Sequence, residues 1–183
     1  METTATDSLF VAIQRDGFSV ARGLFTPAEA SQIRDAFMMQ NAHGPIKGLS
    51  DIRKSYTPDD PLSFYPRMMH PHRHLDKPVG LVAMSFMLDD RIRRVLTEVM
   101  NEEPLAVQSM FYFKPPGSRG QDFHQDNFYL KVKPGTCVAA WLAVDDCDAE
   151  NGGMMCVPET GDHEIVCPEQ ADTRVSSFVP RLA

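Results

Sequence analysis

Leu105-Ala106-Val107-Gln108-Ser109-Met110-Phe111-Tyr112-Phe113 is the stretch on which the fold turns. It is rich in β-branched and aromatic residues and is closed by Lys114-Pro115-Pro116-Gly117, so it reads as a strand running into a turn. Thr136 to Val144, Met154 to Val157 and Glu164 to Cys167 have the same character, with Lys133-Pro134-Gly135 and Asn151-Gly152-Gly153 as turns between them. Short strands at regular spacing predict a sheet sandwich or barrel over residues 104–183.

Upstream of Pro104 the pattern is helical. Leu9, Phe10, Ile13 and Gln14 precede Gly17, a short helix with a glycine cap. Thr26-Pro27-Ala28-Glu29 is a capping box with proline at the first helical position, and Ala30, Ile33, Phe37 and Met38 carry its apolar stripe as far as Asn41. Gly44 to Pro78 is punctuated by six prolines and predicts a long loop lining or covering a site. Leu81 to Phe86 predicts a buried helix; Ile92, Val95, Leu96, Val99 and Met100 predict another behind Asp89-Asp90. Helices and loop over 1–103, then strands over 104–183, make one α+β domain across residues 1–183.

The composition fits that class. Of 183 residues, 43% are hydrophobic and 23% charged, enough for a core and unlike a disordered chain. Twenty-five acids against 18 bases leave a net charge of −7, which argues against a nucleic-acid partner. No apolar run approaches a membrane span, and the polar start Met1 to Asp7 does not resemble a secretory leader. Cys137, Cys147, Cys156 and Cys167 form no CxxC pair, so the expected setting is cytoplasmic with reduced thiols.

The chemistry centres on Phe123-His124-Gln125-Asp126-Asn127. On a strand, residues i and i+2 share a face, so His124 and Asp126 would project together as two neighbouring ligands of a divalent metal. A third ligand would complete the 2-His-1-carboxylate facial triad of non-haem iron oxygenases. A surface strand carrying this polar tripeptide by chance is the ordinary alternative. Asn127, Tyr129 and Lys131 lie just past the pair, where they could face a substrate, and no role is assigned to them.

The succession of motifs around this pair resembles the phytanoyl-CoA dioxygenase family. It comprises Asp16-Gly17-Phe18, Gly23 to Glu29, Gln108-Ser109-Met110 before Phe113-Lys114-Pro115, Lys133-Pro134-Gly135-Thr136, Ala140 to Asp146, Glu150-Asn151-Gly152-Gly153-Met154, and Val157 to His163. The resemblance runs from about residue 8 to about residue 167. It implies Fe(II)- and 2-oxoglutarate-dependent hydroxylation of a small organic substrate by O₂ on a double-stranded β-helix (jelly-roll) core. It also implies His124 and Asp126 as iron ligands, and Met110, Trp141 and Arg67 as residues contacting the 2-oxoglutarate cosubstrate. Met110 and Trp141 as strand core, and Arg67 as a solvated loop charge, are the plain alternatives. An aspartate at 126 favours hydroxylation, because related halogenases lack that carboxylate.

The family pattern also has a distal histidine, and an arginine that grips the far carboxylate of 2-oxoglutarate. After Asp126 the sequence has one histidine, His163, in a stretch resembling the family's Pro-Gly-Ser-His turn, and Arg174 follows it. His163 as third ligand with Arg174 as grip is one option, but few strands intervene to return the chain to the metal. The other is a jelly roll lacking its last strands, hence a truncated relative serving as a ligand-binding or interaction module without activity. Oligomeric state is open, with self-association favoured if sheet edges are exposed.

His70-Pro71-His72-Arg73-His74 alternates three histidines, but Pro71 argues against a central strand and predicts a solvated loop. A cupin-like metal protein using those histidines is a third, more remote possibility. Asp145, Asp146 and Asp148 lack the spacing of a calcium loop and predict a turn.

Overall fold

The computed structural model describes residues 8–52, 57–161 and 163–165. Helices α1 (Leu9–Asp16) and α2 (Pro27–Ala42) start and stop where their caps dictate. Ser8 accepts from the Val11 amide at 3.2 Å, and Gly17 at φ 81° closes α1 in the left-handed conformation that glycine adopts without penalty. At α2 both halves of the capping box form: Thr26 Oγ1 accepts from the Glu29 amide at 3.3 Å, and the Glu29 carboxylate accepts from the Thr26 amide at 2.8 Å. Phe37 points inward from α2, but Met38, expected beside it on the stripe, is 43% exposed. One residue is a 100° step around a helix, which carries Met38 off the face that Ile33 and Phe37 share.

The proline-rich 44–78 segment is mostly irregular, as its punctuation suggests, and contributes Leu49 and Met68 to the core. Prolines open α3 (Pro61–Phe64), a 3₁₀ turn (Pro71–Arg73) and α4 (Pro78–Met87), positions where a missing N–H costs nothing. Between them β1 (Met68–Met69) pairs antiparallel with β2 (Met110–Phe111), Met68 opposite Phe111 and Met69 opposite Met110. On the other side of β1, Ser50 bridges to Met68, the Met69 amide donates to Leu49 O at 2.7 Å, and the Asp51 amide donates to Arg67 O at 2.9 Å. β1 is thus held on both sides, by β2 in a two-stranded sheet and by the isolated bridge at Ser50, and Leu49 and Met68 sit in the core cluster with Phe37, Val79, Ala83 and Phe113. The Phe37 ring stacks on Phe111 at 3.9 Å between centroids and 4° between planes, joining α2 to β2.

Helix α4 lies on the 3₁₀ turn and on α2, and α1 lies on α5 (Asp90–Met100). Gly80 makes the first contact possible, because a Cβ there would run into the His74 carbonyl. Helix propensity alone favours alanine over glycine by about 1 kcal/mol, whereas overpacking against backbone costs about 1–3 kcal/mol. Gly80→Ala is therefore expected to lower the thermal midpoint; an unchanged or raised midpoint would show that the turn yields.

Asp89 caps α5, accepting from the Arg91 amide at 2.8 Å. The Arg91 guanidinium binds Glu29 and Asp89, each at 2.8 Å, donates to Leu24 O at 3.0 Å and lies 4.1 Å over the Phe25 ring, tying the starts of α2 and α5 together. Hydrogen bonds from Arg91 hold the carboxyls of Glu29 and Asp89 down to about 2. Depressed carboxyls stabilise the fold above their ordinary values, 4.5 and 3.8, and that stability is lost as pH falls toward about 2. The midpoint is expected to fall across that window and to fall less in Arg91→Met; equal slopes in the two proteins would remove the network as the cause.

The second half departs from its pattern. Of the four expected strands, only Met110–Phe111 forms a ladder among the described residues, and Cys167 lies outside them. The predicted turns do form: Gly117 and Gly152 adopt φ 76° and 86°, and Asp148 Oδ1 accepts from the amides of Glu150 and Asn151. The 136–144 and 154–157 stretches have no strand partner among the described residues. Their apolar groups consequently stay open, with Met155 68% and Trp141 50% exposed. The chain is a mixed helical structure with a small sheet. Among the described residues no helix is long and apolar enough to cross a membrane.

Candidate metal pair and cosubstrate face

His124 and Asp126 do come together, though not on a strand. They occupy the bend leading into α6 (Asn127–Leu130), with Asp126 at φ −56° and ψ −38°, so helical proximity replaces strand alternation. His124 Nε2 lies 3.2 Å from Asp126 Oδ1, and Nδ1 lies 2.7 Å from the Asp122 carbonyl oxygen. Since a carbonyl only accepts, Nδ1 carries a proton, and Nε2 faces Asp126, donating to its carboxylate when the ring is protonated and offering its lone pair to a metal when it is not. Each partner favours the other's charge. The hydrogen bond to Asp126 raises the His124 pKa, and the same bond holds the Asp126 carboxyl low. Burial, then the Asp126 charge, push the Cys137 thiol up.

Two donors about 2.1 Å from one metal and at right angles stand about 3.0 Å apart, so this pair fits two adjacent coordination positions. Among the described residues no third histidine, cysteine, aspartate or glutamate joins them. Gln125 donates to Glu164 O at 3.2 Å, which draws the 163–165 segment toward the motif, yet His163 does not join the pair. Arg174, the expected carboxylate grip, lies outside the described residues. The Asn127 side-chain amide accepts from the Val132 amide at 2.7 Å and donates to Val132 O at 3.3 Å.

The ladder assembles a second group. Met68 and Phe111 face the core, so alternation puts Arg67, Met69, Met110 and Tyr112 together on the opposite face. Tyr112 Oη donates to Met110 Sδ at 3.3 Å, and the Arg67 guanidinium carbon lies 6.0 Å from the Tyr112 ring centroid. Arg67 Nε donates to Asp51 at 2.7 Å with the side chain only 16% exposed, so it is not a solvated loop charge. Met110 and Trp141 are both substantially exposed, which excludes the plain core alternative. Trp141 sits on the 136–144 stretch, and no hydrogen bond or ring contact among the described residues joins it to the ladder face. The sequence singled out Arg67 and Met110 but missed Met69 and Tyr112; the i, i+2 spacing within each pair was the available signal.

The histidine-rich loop is also corrected. Pro71 and His72 are buried, and His72 Nδ1 lies 2.6 Å from Ser109 Oγ. No metal-ligand group forms around these histidines among the described residues.

A helical chain with a small sheet carries an anchored His–Asp pair, a candidate two-donor metal site, and separately an Arg–Met–Tyr face on its ladder. The sequence model of the family described as Phytanoyl-CoA dioxygenase (PhyH) matches residues 13–174. Phytanoyl-CoA dioxygenase 1 of Oryza sativa subsp. japonica is 26% identical over 151 residues, covering 81% of this chain and 52% of that protein. Phytanoyl-CoA dioxygenase of Arabidopsis thaliana is 30% identical over 81 residues, 44% of this chain and 28% of that protein. Phytanoyl-CoA dioxygenase domain-containing protein 1 homolog of Caenorhabditis elegans is 33% identical over 78 residues, 42% of this chain and 26% of that protein. The chain thus spans about half the length of the rice relative and less of the other two. No solved structure matches it. The chain belongs to the phytanoyl-CoA dioxygenase family.

Proposed function

We propose that this protein is an Fe(II)- and 2-oxoglutarate-dependent dioxygenase that hydroxylates a small organic substrate with O₂. His124 and Asp126 would supply two protein ligands to iron, and Arg67, Met110 and Trp141 would contact 2-oxoglutarate. Bound there, iron and its cosubstrate would supply the O₂ activation that hydroxylation needs. The chain's own contribution is to hold Nδ1 of His124 on the Asp122 carbonyl, leaving Nε2 aimed with the Asp126 carboxylate. The separation of 3.2 Å between these two donors carries the assignment, because it suits two adjacent ligands of one ion. Family membership supports the jelly roll as the architecture that the strand-like stretches after Pro104 belong to. The unpaired thiols of Cys137, Cys147 and Cys156 are in keeping with a cytoplasmic setting.

A binding or interaction module without turnover is the second reading, favoured by one observation: no third donor joins the pair among the described residues. Anaerobic titration with Fe(II) and 2-oxoglutarate, followed by the visible metal-to-ligand charge-transfer band, separates the two. A saturable band supports the oxygenase. Folded protein that gives no band supports the module.

A further inference from the structure

We propose that Ser109 and His72 form a half-buried latch that sets the register of the β1–β2 ladder and so positions the cosubstrate face, an inference that rests on the oxygenase assignment above. His72 and Ser109 belong to neither the metal pair nor that face. Three bonds converge on this one serine: its carbonyl accepts from the His70 amide at 2.9 Å, and its hydroxyl lies 3.4 Å from the donating His72 amide and 2.6 Å from His72 Nδ1. Ser109 immediately precedes Met110, so whatever fixes Ser109 fixes β2.

The ladder needs such a device. Each strand is two residues long, too short to hold its register alone. Side chains alternate with period two, so a slip of one residue would turn Met110 and Tyr112 toward the core and Phe111 outward. The loop beside the latch is held against its own preferences. His70 adopts φ 51°, a left-handed conformation unusual for a histidine, and its buried Nδ1 has no hydrogen-bond partner among the described residues. Such features persist only where the surroundings over-determine them, and they gather where geometry matters to function. Here the surroundings are Pro71, fully buried, and the Ser109 contacts on either side of it. His72 and Ser109 are therefore positioning residues, acting on the cosubstrate through Met110 and Tyr112.

Amide hydrogen exchange at His70, whose amide donates to Ser109 O, reads the latch directly in the metal-free protein. Ser109→Ala and His72→Phe are expected to speed exchange by about fivefold to tenfold, the size of one net hydrogen bond. His72→Asn, which keeps a polar atom in the Nδ1 position, is expected to stay near wild type. Ser109→Ala deletes a single oxygen, so it decides the question even where His72→Phe fails to fold; unchanged exchange in Ser109→Ala overturns the latch. Calorimetric titration of the Mn(II)-loaded protein with 2-oxoglutarate reads the positioning. The dissociation constant is expected to rise by a similar factor in Ser109→Ala, to stay near wild type in His72→Asn, and to rise in Met110→Ala. Weakening in Met110→Ala but not in Ser109→Ala overturns the positioning role. No weakening in Met110→Ala, with faster exchange in Ser109→Ala, overturns the cosubstrate assignment and leaves the latch standing.

Discussion

His124→Ala is expected to abolish the charge-transfer band and 2-oxoglutarate-dependent succinate release, and to weaken Fe(II) binding by more than about a hundredfold. The magnitude follows from position. Loss of partners that merely orient a ligand costs about 10–100-fold in metal affinity or activity, and His124 would be a ligand itself. Its removal leaves Asp126 as the single donor of the pair, half-exposed and without the imidazole that holds its carboxyl low. The fold, by contrast, is expected to stand. Partly exposed ion pairs are worth about 0–1 kcal/mol, so the thermal midpoint of His124→Ala stays close to wild type. Succinate release at the wild-type rate in folded His124→Ala would sink the iron assignment, whereas loss of both turnover and midpoint would make His124 structural. Asp126→Ala separates charge from geometry: it deletes the carboxylate but leaves Nδ1 of His124 on the Asp122 carbonyl.

What the sequence made legible depended on how local the determining interaction was. The caps at Thr26 and Asp89 and the glycine at 17 act within a few residues, and the helices they bound form as read. The proximity of His124 and Asp126 was legible too, though for a different reason than the one the spacing suggested. His124 and Asp126 meet through a bend and a helix start instead of across a pleat, so the residue types carried the information and the periodicity did not. The 44–78 segment reads as loop and is mostly irregular, but its share of the core was not legible, because proline signals breaks in regular structure and says nothing of burial. Leu49 and Met68 are core residues whose partners, Phe37, Val79 and Phe113, are far away in the chain. The strands after Pro104 fail in the opposite way. Alternation describes a stretch fit to be half-buried, but a ladder exists only where a neighbour supplies the other half of each hydrogen bond. Leu105, Val107 and Met155 are all well exposed, on stretches that form no ladder among the described residues.

The second large effect is expected in the core. Phe37→Ala should cost about 3–5 kcal/mol, the range for emptying a buried aromatic site, out of the 5–15 kcal/mol that holds a typical domain folded. Phe37 is 3% exposed, so its whole ring is removed from contact, and the stacked Phe111 cannot fill the space without leaving the ladder. The neighbouring Met38→Ala, on the open side of the same helix, is the matched control and should stay within about 0.5 kcal/mol of wild type. Urea denaturation of the pair measures the difference without depending on metal or cosubstrate. Equal midpoints would mean that α2 does not pack on β2 as described. A large difference has a consequence for chemistry as well. Phe111 lies between Met110 and Tyr112, so the ring that loses its partner belongs to the strand carrying the proposed cosubstrate face, and that face should loosen with the core behind it.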